Sequence, residues 1–398
     1  MALALVLLVG CGGGHAASTK QVPDGPLTVY LSAPRQGVEA SAGRAVAAGA
    51  RLALADARGR AGERPIRLVQ LDASKPQSTT WDPAAVEANA KRAAADPSTI
   101  AYIGELDEGG SAISVPVTND EGILQVSPLD GLTTLTRDQP GAAVGTGPAR
   151  YYPSGKRTFL RLVPTDALQA DALVGWARER GARRLGVVQD EEVFGRVLAQ
   201  QVAVAAERSR LPVTELAEPH DDPATFDEFA AKLTASRPDA ILYTGVGDPQ
   251  AGLLLGALER ALPGARRFGS SALATALPIP PGLPEVDLLS PVLPPSAYGP
   301  RAQRLLTRVP ARTRAATGAA ALYGYEAMRV VLDALAAAGP DAGDRAAVAR
   351  AALAPRQRRS AIGTYRVLRS GDVAPARFGA YRHSASGLRY LGERFPQR

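Results

Sequence analysis

The 398-residue sequence contains a single cysteine, Cys11, so no disulfide forms within the chain and no thiol cluster holds a metal. Histidine occurs only as His15, His220 and His383, with no metal-ligand spacing among them. Aromatic residues make up 5% of the chain, which leaves few platforms for stacked bases and argues against a nucleic-acid partner. Lysine is scarce too, at five positions, so arginine carries nearly all the positive charge behind the net +7. Those arginines are scattered through amphipathic segments, often beside Asp or Glu, with no long basic run; they read as a solvated surface. Long apolar runs are missing as well. The N-terminal run of ten, MALALVLLVG, falls short of the roughly 20 residues that a membrane-spanning helix needs.

Catalytic constellations are also absent. SGKR (154–157) has Arg150 where a phosphate loop needs its first glycine and Arg157 where it needs Ser or Thr. GGSAI and GSSAL lack the last glycine of a nucleophile elbow. No enzyme, cofactor or metal is expected; only acids brought together by folding would revive a catalytic reading.

What is present begins at the N-terminus. The short apolar run has the length of a signal-peptide core, and Leu8-Val9-Gly10-Cys11 resembles a lipobox, where the cysteine is lipidated. No Lys or Arg precedes the run, so a start upstream of Met1 is expected. Gly12 to Gly14 with Ser18-Thr19 suit a flexible tether.

From residue 27 onward, strand-like runs alternate with helical ones: 27–32, 66–72, 99–104 and 123–128 as strands, with helices over 38–57, from the Asp82-Pro83 start, and near 109–121. The order recurs after 157, with strands over 184–190, 211–216, 239–245 and 266–271 and helices between them, one opening at Asp222-Pro223. Such alternation implies parallel sheets covered on both faces, and two sets imply two doubly wound lobes of an α/β protein. The proline-rich stretch 278–295 reads as a crossing segment. Ala319 to Ala338 carries Leu322, Tyr325, Met328, Leu332 and Leu335 on one helical face, and three antiparallel strands are expected near 364–369, 376–382 and 388–394. Trp81 and Tyr325 read as packing residues.

The loop GELDEGGSAIS (104–114) poses a specific problem. A strand followed by glycines and a helix presents free N–H groups suited to an anion, yet Glu105, Asp107 and Glu108 sit in it.

Several phrases, AGARLALADARGRAG (48–62), WDPAAVEANAKRAAADPSTIAYIGE (81–105), NDEGILQVSP (119–128), YYPSGKRTFLRLVPTDALQADAL (151–173) and GYEAMRVVLDAL (324–335), resemble the Leu/Ile/Val-type (branched-chain amino acid) substrate-binding lipoproteins of bacterial ABC transporters. The resemblance implies a type I periplasmic-binding-protein fold with a three-segment hinge. It divides the chain into a signal peptide and tether (1–24), a first lobe (25–164 plus 294–360) and a second lobe (165–293 plus 361–398). It implies an extracytoplasmic protein held to the membrane through a lipid on Cys11, which captures a small polar ligand and passes it to an ABC permease.

The same resemblance implies ligand contacts at Glu108, Gly109, Gly110 and Ser111 in the first loop, and at Ser127, Leu129 and Gly131 in the next. Phe194, Val246 and Ser271 would face them from the second lobe. Departures from the family pattern cluster here. Glu108 stands at the carboxylate-binding serine, with Ser111 three residues later; Gly131 replaces a threonine, with Thr133 and Thr134 following. Phe194 lacks a hydroxyl, and Ser271 stands near the family's acid for the ligand ammonium. An acid beside a ligand carboxylate in a closed cleft would cost several kcal/mol. Either Glu108 turns outward and the glycines bind an anion, or the ligand is neutral or cationic. A ligand sensor or interaction protein on the same fold, without a transport role, is the alternative.

Overall fold

The structure is a computed structural model that describes residues 20–76, 80–106, 108–139, 145–220, 222–275, 284–311, 319–384 and 386–396. Cys11 and the signal-like run lie outside these residues, as does the side chain of Glu108.

The first sheet has the order β2-β3-β1-β4-β5-β6, built from β1 (Leu27–Ala33), β2 (Arg60–Ala61), β3 (Arg64–Asp72), β4 (Thr99–Ile103), β5 (Leu124–Ser127) and β6 (Phe159–Arg161). Apart from the β2–β3 hairpin, its pairings are parallel. The second sheet runs β16-β15-β11-β10-β9-β7-β8. Its strands are β7 (Leu185–Val188), β8 (Val213–Ala217), β9 (Ala240–Tyr243), β10 (Arg266–Gly269), β11 (Val286–Ser290), β15 (Phe378–Ser384) and β16 (Gly387–Arg394). A small antiparallel sheet holds β12 (Gln357–Ser360), β13 (Gly363–Val367) and β14 (Val373–Ala374).

The helices are α1 (Ala40–Asp56), α2 (Pro83–Ala95), α3 (Glu108–Asp120), α4 (Asp166–Glu179), α5 (Val193–Arg208), α6 (Phe226–Leu233), α7 (Pro249–Ala261), α8 (Ser271–Thr275), α9 (Pro300–Thr307), α10 (Ala320–Ala338) and α11 (Arg345–Leu353). None is long and apolar enough to cross a membrane.

Local chemistry explains many of the starts. Asp82 caps α2 by accepting from Ala85 N at 2.7 Å, with Pro83 in the first turn, as its sequence predicts. Asp222 accepts from Ala224 N at 2.9 Å, but the turn it opens is a short tight one before α6 begins at Phe226. Helix α10 buries Leu322, Tyr325, Met328, Leu332 and Leu335 in the first core, and the Tyr325 hydroxyl donates to Asp56 Oδ2 at 3.0 Å. It lies backbone-to-backbone on α1: a Cβ on Gly49 would stand 1.8 Å from Ala321 O, and one on Gly324 2.0 Å from Val46 O.

One expectation is corrected. The stretch 278–295, read as a crossing, contains β11 inside the second sheet, paired with β10 and β15. All five of its residues are buried, so it shows no alternation, and the flanking Pro284 and Pro291 mask a five-residue strand. The tail strands do run antiparallel, but they divide: β13 packs Tyr365 and Val367 into the first core, whereas Phe378 and Ala380 of β15 enter the second.

Candidate functional site

Ligands in doubly wound sheets bind beyond the carboxyl ends of the strands, where strand order reverses. The reversal falls between β1 and β4 in the first sheet, because β1 sits between β3 and β4; in the second it falls between β7 and β9. Each reversal holds an acid.

In the first lobe that acid is Glu105, which is buried. Ser32 Oγ, near the end of β1, donates to Glu105 Oε2 at 2.8 Å, and the Tyr102 hydroxyl donates to Oε1 at 2.6 Å. Burial, and then the Glu105 carboxylate, pushes the Tyr102 phenol well above its ordinary range. Asn89 Nδ2 in turn donates to Ser32 Oγ at 3.1 Å and to Asp72 O at 2.9 Å, joining β3 to the group. The Glu105 side chain is thus engaged within the lobe.

The expected contacts of the first loop arrange themselves around Glu105. Its backbone N–H donates to Ser111 Oγ at 3.3 Å, and its carbonyl accepts from Ser127 Oγ at 2.7 Å. Ser127 Oγ also accepts from Asp130 N at 2.9 Å. Gly110 lies against the acid: a Cβ there would stand 2.9 Å from Glu105 Cβ and Cγ. Gly109 lies on the Trp81 indole, with Cζ2 only 2.2 Å from where a Cβ would be, so the half-buried Trp81 packs on the start of α3. Glu108 is the first residue of α3, a turn whose N–H groups have no partner within the helix.

Gly131 and the threonines after it join the two lobes. Asp166 N, in the first turn of α4, donates to Gly131 O at 2.8 Å, and Ala167 N donates to Thr133 Oγ1 at 3.0 Å. Thr134 Oγ1 and the Tyr151 hydroxyl lie 3.1 Å apart. Leu129 is partly buried against the first core. Beneath this loop the buried Arg161 donates to Asp130 O at 3.0 Å, Leu132 O at 2.7 Å and Thr136 Oγ1 at 3.1 Å, and pairs with Asp372 at 3.2 Å. Burial raises the Asp372 carboxyl, but the charge of Arg161 and bonds from Arg137 and Thr136 outweigh it, and the net shift is downward.

In the second lobe the acid is Asp190, five residues before Gly195 as Glu105 is five before Gly110. Its Oδ2 accepts from Val246 N at 2.7 Å, and Oδ1 from Glu192 N at 3.3 Å. Burial pushes its carboxyl up to about 6; the two backbone bonds oppose the shift and Asp248 adds to it. A Cβ on Gly195 would stand 2.0 Å from Asp190 Oδ1, and one on Gly245 2.5 Å from Oδ2 and 2.3 Å from the Tyr243 hydroxyl. Val246 is therefore at the site through its backbone. Ser271 N donates to Gln169 Oε1 at 3.0 Å, and Phe194 packs partly on the second core. Helix α5 reaches across: its Val197 packs on the cluster of Val115, Leu132, Leu135, Tyr151, Tyr152 and Phe159.

Sequence reading names residues in these loops but misses the groups that organise them: Ser32, Tyr102, Asn89, Arg161, Asp190 and Tyr243. A signal for one of them, Asp190, was available, since an acid five residues before a glycine occurs in DEEVFG as it does around Glu105 in ELDEGG. Among the described residues no cluster of three or more His, Cys, Asp and Glu is arranged to hold a metal.

The family model for the periplasmic binding protein matches residues 26–372. No curated protein matches the sequence. Among solved structures, a leucine-binding protein from Thermotoga maritima is 18% identical with a TM-score of 0.73, over 93% of this chain and 99% of that one. A solute-binding protein from R. palustris in complex with benzoate is 17% identical with a TM-score of 0.72, over 94% and 97% of the two chains. A substrate-binding protein from Desulfitobacterium hafniense in complex with Leu is 16% identical, with a TM-score of 0.71 over 92% and 100%. At such identities the likeness is one of fold: two α/β lobes of the type I kind. The family match carries the assignment, and the chain belongs to the periplasmic binding protein family, as an extracytoplasmic solute-binding protein.

Proposed function

We propose that the protein captures a small carboxylate-bearing molecule, an amino acid or a related compound, between the two strand-end loops and delivers it to an ABC permease. The observation that carries this reading is the position of Glu105. Its carboxylate lies between Ser32 and Tyr102, so it does not oppose an anion at the Gly109-Gly110 start of α3. Ser127, Leu129 and Gly131 would frame the ligand from the first lobe, and Phe194, Val246 and Ser271 from the second. Glu108 is the first residue of α3, and an acid in a first helical turn is favourable by about 0.3–1 kcal/mol when exposed.

We propose lobe limits as well, with packing in support. The first would comprise 25–164 and 294–374, and the second 165–293 and 375–398. On this reading the third crossing would fall between Ala374 and Phe378; the packing of Ile362, Tyr365, Val367 and Val373 in the first core supports it. Lipidation at Cys11 rests on the Leu8-Val9-Gly10-Cys11 motif. Cys11→Ser should move the protein from the membrane fraction to the soluble one.

Thermal unfolding against leucine, isoleucine, valine, benzoate, leucinamide and spermidine tests the ligand class. A ligand at about 100 times its dissociation constant adds about 2.7 kcal/mol of stability. A rise in melting temperature with the carboxylates and none with leucinamide or spermidine is the expected result; the reverse would mean a loop rebuilt for cations. The hydroxyls of Ser111, Ser127, Thr133 and Thr134 all bond within the protein, which favours a second reading, a sensor with a reduced pocket. That reading expects no shift with any of the six compounds.

A further inference from the structure

Away from the paired strand-end loops, the first lobe holds a cavity of about 490 Å3 between the N-terminal half of α1 and the carboxyl ends of β1 and β3. Small-molecule sites commonly fall in the range of about 300–1,000 Å3. Ser41, Arg44 and Arg51 line it from one face of α1, while Val46, Gly49 and Ala53 on the opposite face pack in the core. Gly43 and Ala47 keep the wall low between the arginines. Arg35 closes one side from the loop after β1, and Gln70 and Pro310 complete the lining.

The charge in this cavity is one-sided. Arg44 Nη2 donates to Ser41 Oγ at 3.1 Å and Arg51 Nη1 to Gln70 Oε1 at 2.8 Å, both neutral acceptors. Among the described residues, none of Arg35, Arg44 and Arg51 pairs with a carboxylate, and no carboxylate lines the cavity. Asp72, at the end of β3, instead accepts from Arg35 N at 3.1 Å, Ser74 N at 2.9 Å and Gln36 Nε2 at 3.3 Å, which fixes the loop that carries Arg35. Three guanidinium groups around one cavity repel one another, and each retains donors suited to a carboxylate or a phosphate.

We infer that this cavity is a second binding site, for a small multiply charged anion bearing carboxylate or phosphate groups. It shares no residue with the ligand contacts proposed above, so it stands or falls independently of the ligand bound there.

Calorimetric titration of the full chain with citrate and with inorganic phosphate, at fixed ionic strength, tests it. Saturable binding of at least one probe is expected, and the better probe tells a polycarboxylate from a phosphate compound. Charge-assisted hydrogen bonds of the usual strength predict a loss of about tenfold in affinity for each of Arg44→Gln and Arg51→Gln. Both side chains are exposed, so the melting temperature without probe should be unchanged, and Arg178→Gln on the exposed face of α4 should bind as the parent does. No binding of either probe at about 10 mM, a range that would already detect millimolar affinity, overturns the site. Affinity unchanged in the double variant, or lost equally in Arg178→Gln, overturns it as well.

Discussion

The strand-end loops of the two lobes solve one packing problem in different ways. Each places an acid beyond a strand, a glycine five residues later and a strand tyrosine beside the acid: Glu105, Gly110 and Tyr102 in the first lobe, and Asp190, Gly195 and Tyr243 in the second. In the first, side-chain hydroxyls hold the carboxylate; in the second, the backbone N–H groups of Val246 and Glu192 do. Hydroxyl donors from β1 and β4 tie two strands together through side chains. Backbone donors instead fix the path of the chain after β9. Glu105 is thus a brace within the lobe, and Asp190 a template for a loop.

Removing the acids should separate these roles. Glu105→Ala leaves Ser32 and Tyr102 buried with no acceptor, and a loss of about 3 kcal/mol in urea unfolding is expected. Asp190→Ala leaves the N–H groups of Val246 and Glu192 and the Tyr243 hydroxyl, which keeps Val246 O as an acceptor at 3.4 Å, and should cost clearly less. Equal losses would mean that the two carboxylates do the same job. A smaller step tests the glycines. Gly195→Ala puts a Cβ 2.0 Å from Oδ1 of a carboxylate that two N–H groups, one on each oxygen, hold in place, and should cost about 2 kcal/mol. Gly110→Ala meets Glu105 at 2.9 Å and should cost about 1 kcal/mol. The reverse order would show that the Glu105 brace is the stiffer one.

Much of this architecture was legible in the sequence, because strand–helix alternation and capping motifs are local. Asp82-Pro83 starts α2 itself, whereas Asp222-Pro223 opens a tight turn before α6, and the α10 face shows its spacing directly. Strand β11 was not legible, because a fully buried strand between prolines carries no period. The site was half legible. Ser127, Gly131 and Ser111 could be placed near strand ends, but their partners come from distant segments. Ser32 stands 73 residues before Glu105, and Asp190 56 before Val246, and nothing local connects either pair. Glu105 itself read as part of an acidic loop. Its burial depends on Tyr102 and Ser32 converging on it, which only the β1–β4 pairing brings about.

The smallest expected effect concerns protons, and it belongs to Asp190. Its carboxyl is raised to about 6 in the folded protein against 3.8 as the ordinary value, so between those two values the folded state binds more protons than the unfolded one. Stability then falls as pH rises from about 4 to about 6 and levels off above, the opposite of a carboxylate held by a salt bridge. The shift corresponds to at most about 3 kcal/mol, and with solvent screening of a partly exposed group about 1 kcal/mol is expected. Asp190→Asn keeps an acceptor for Val246 N but has no proton to exchange. Unfolding free energies measured at several pH values should therefore show a component of this slope in the parent that is missing in Asp190→Asn. If the two curves run parallel from pH 4 to 7, the Asp190 carboxyl is as well solvated as an open one, and the second lobe's acid does not template its loop from a desolvated site.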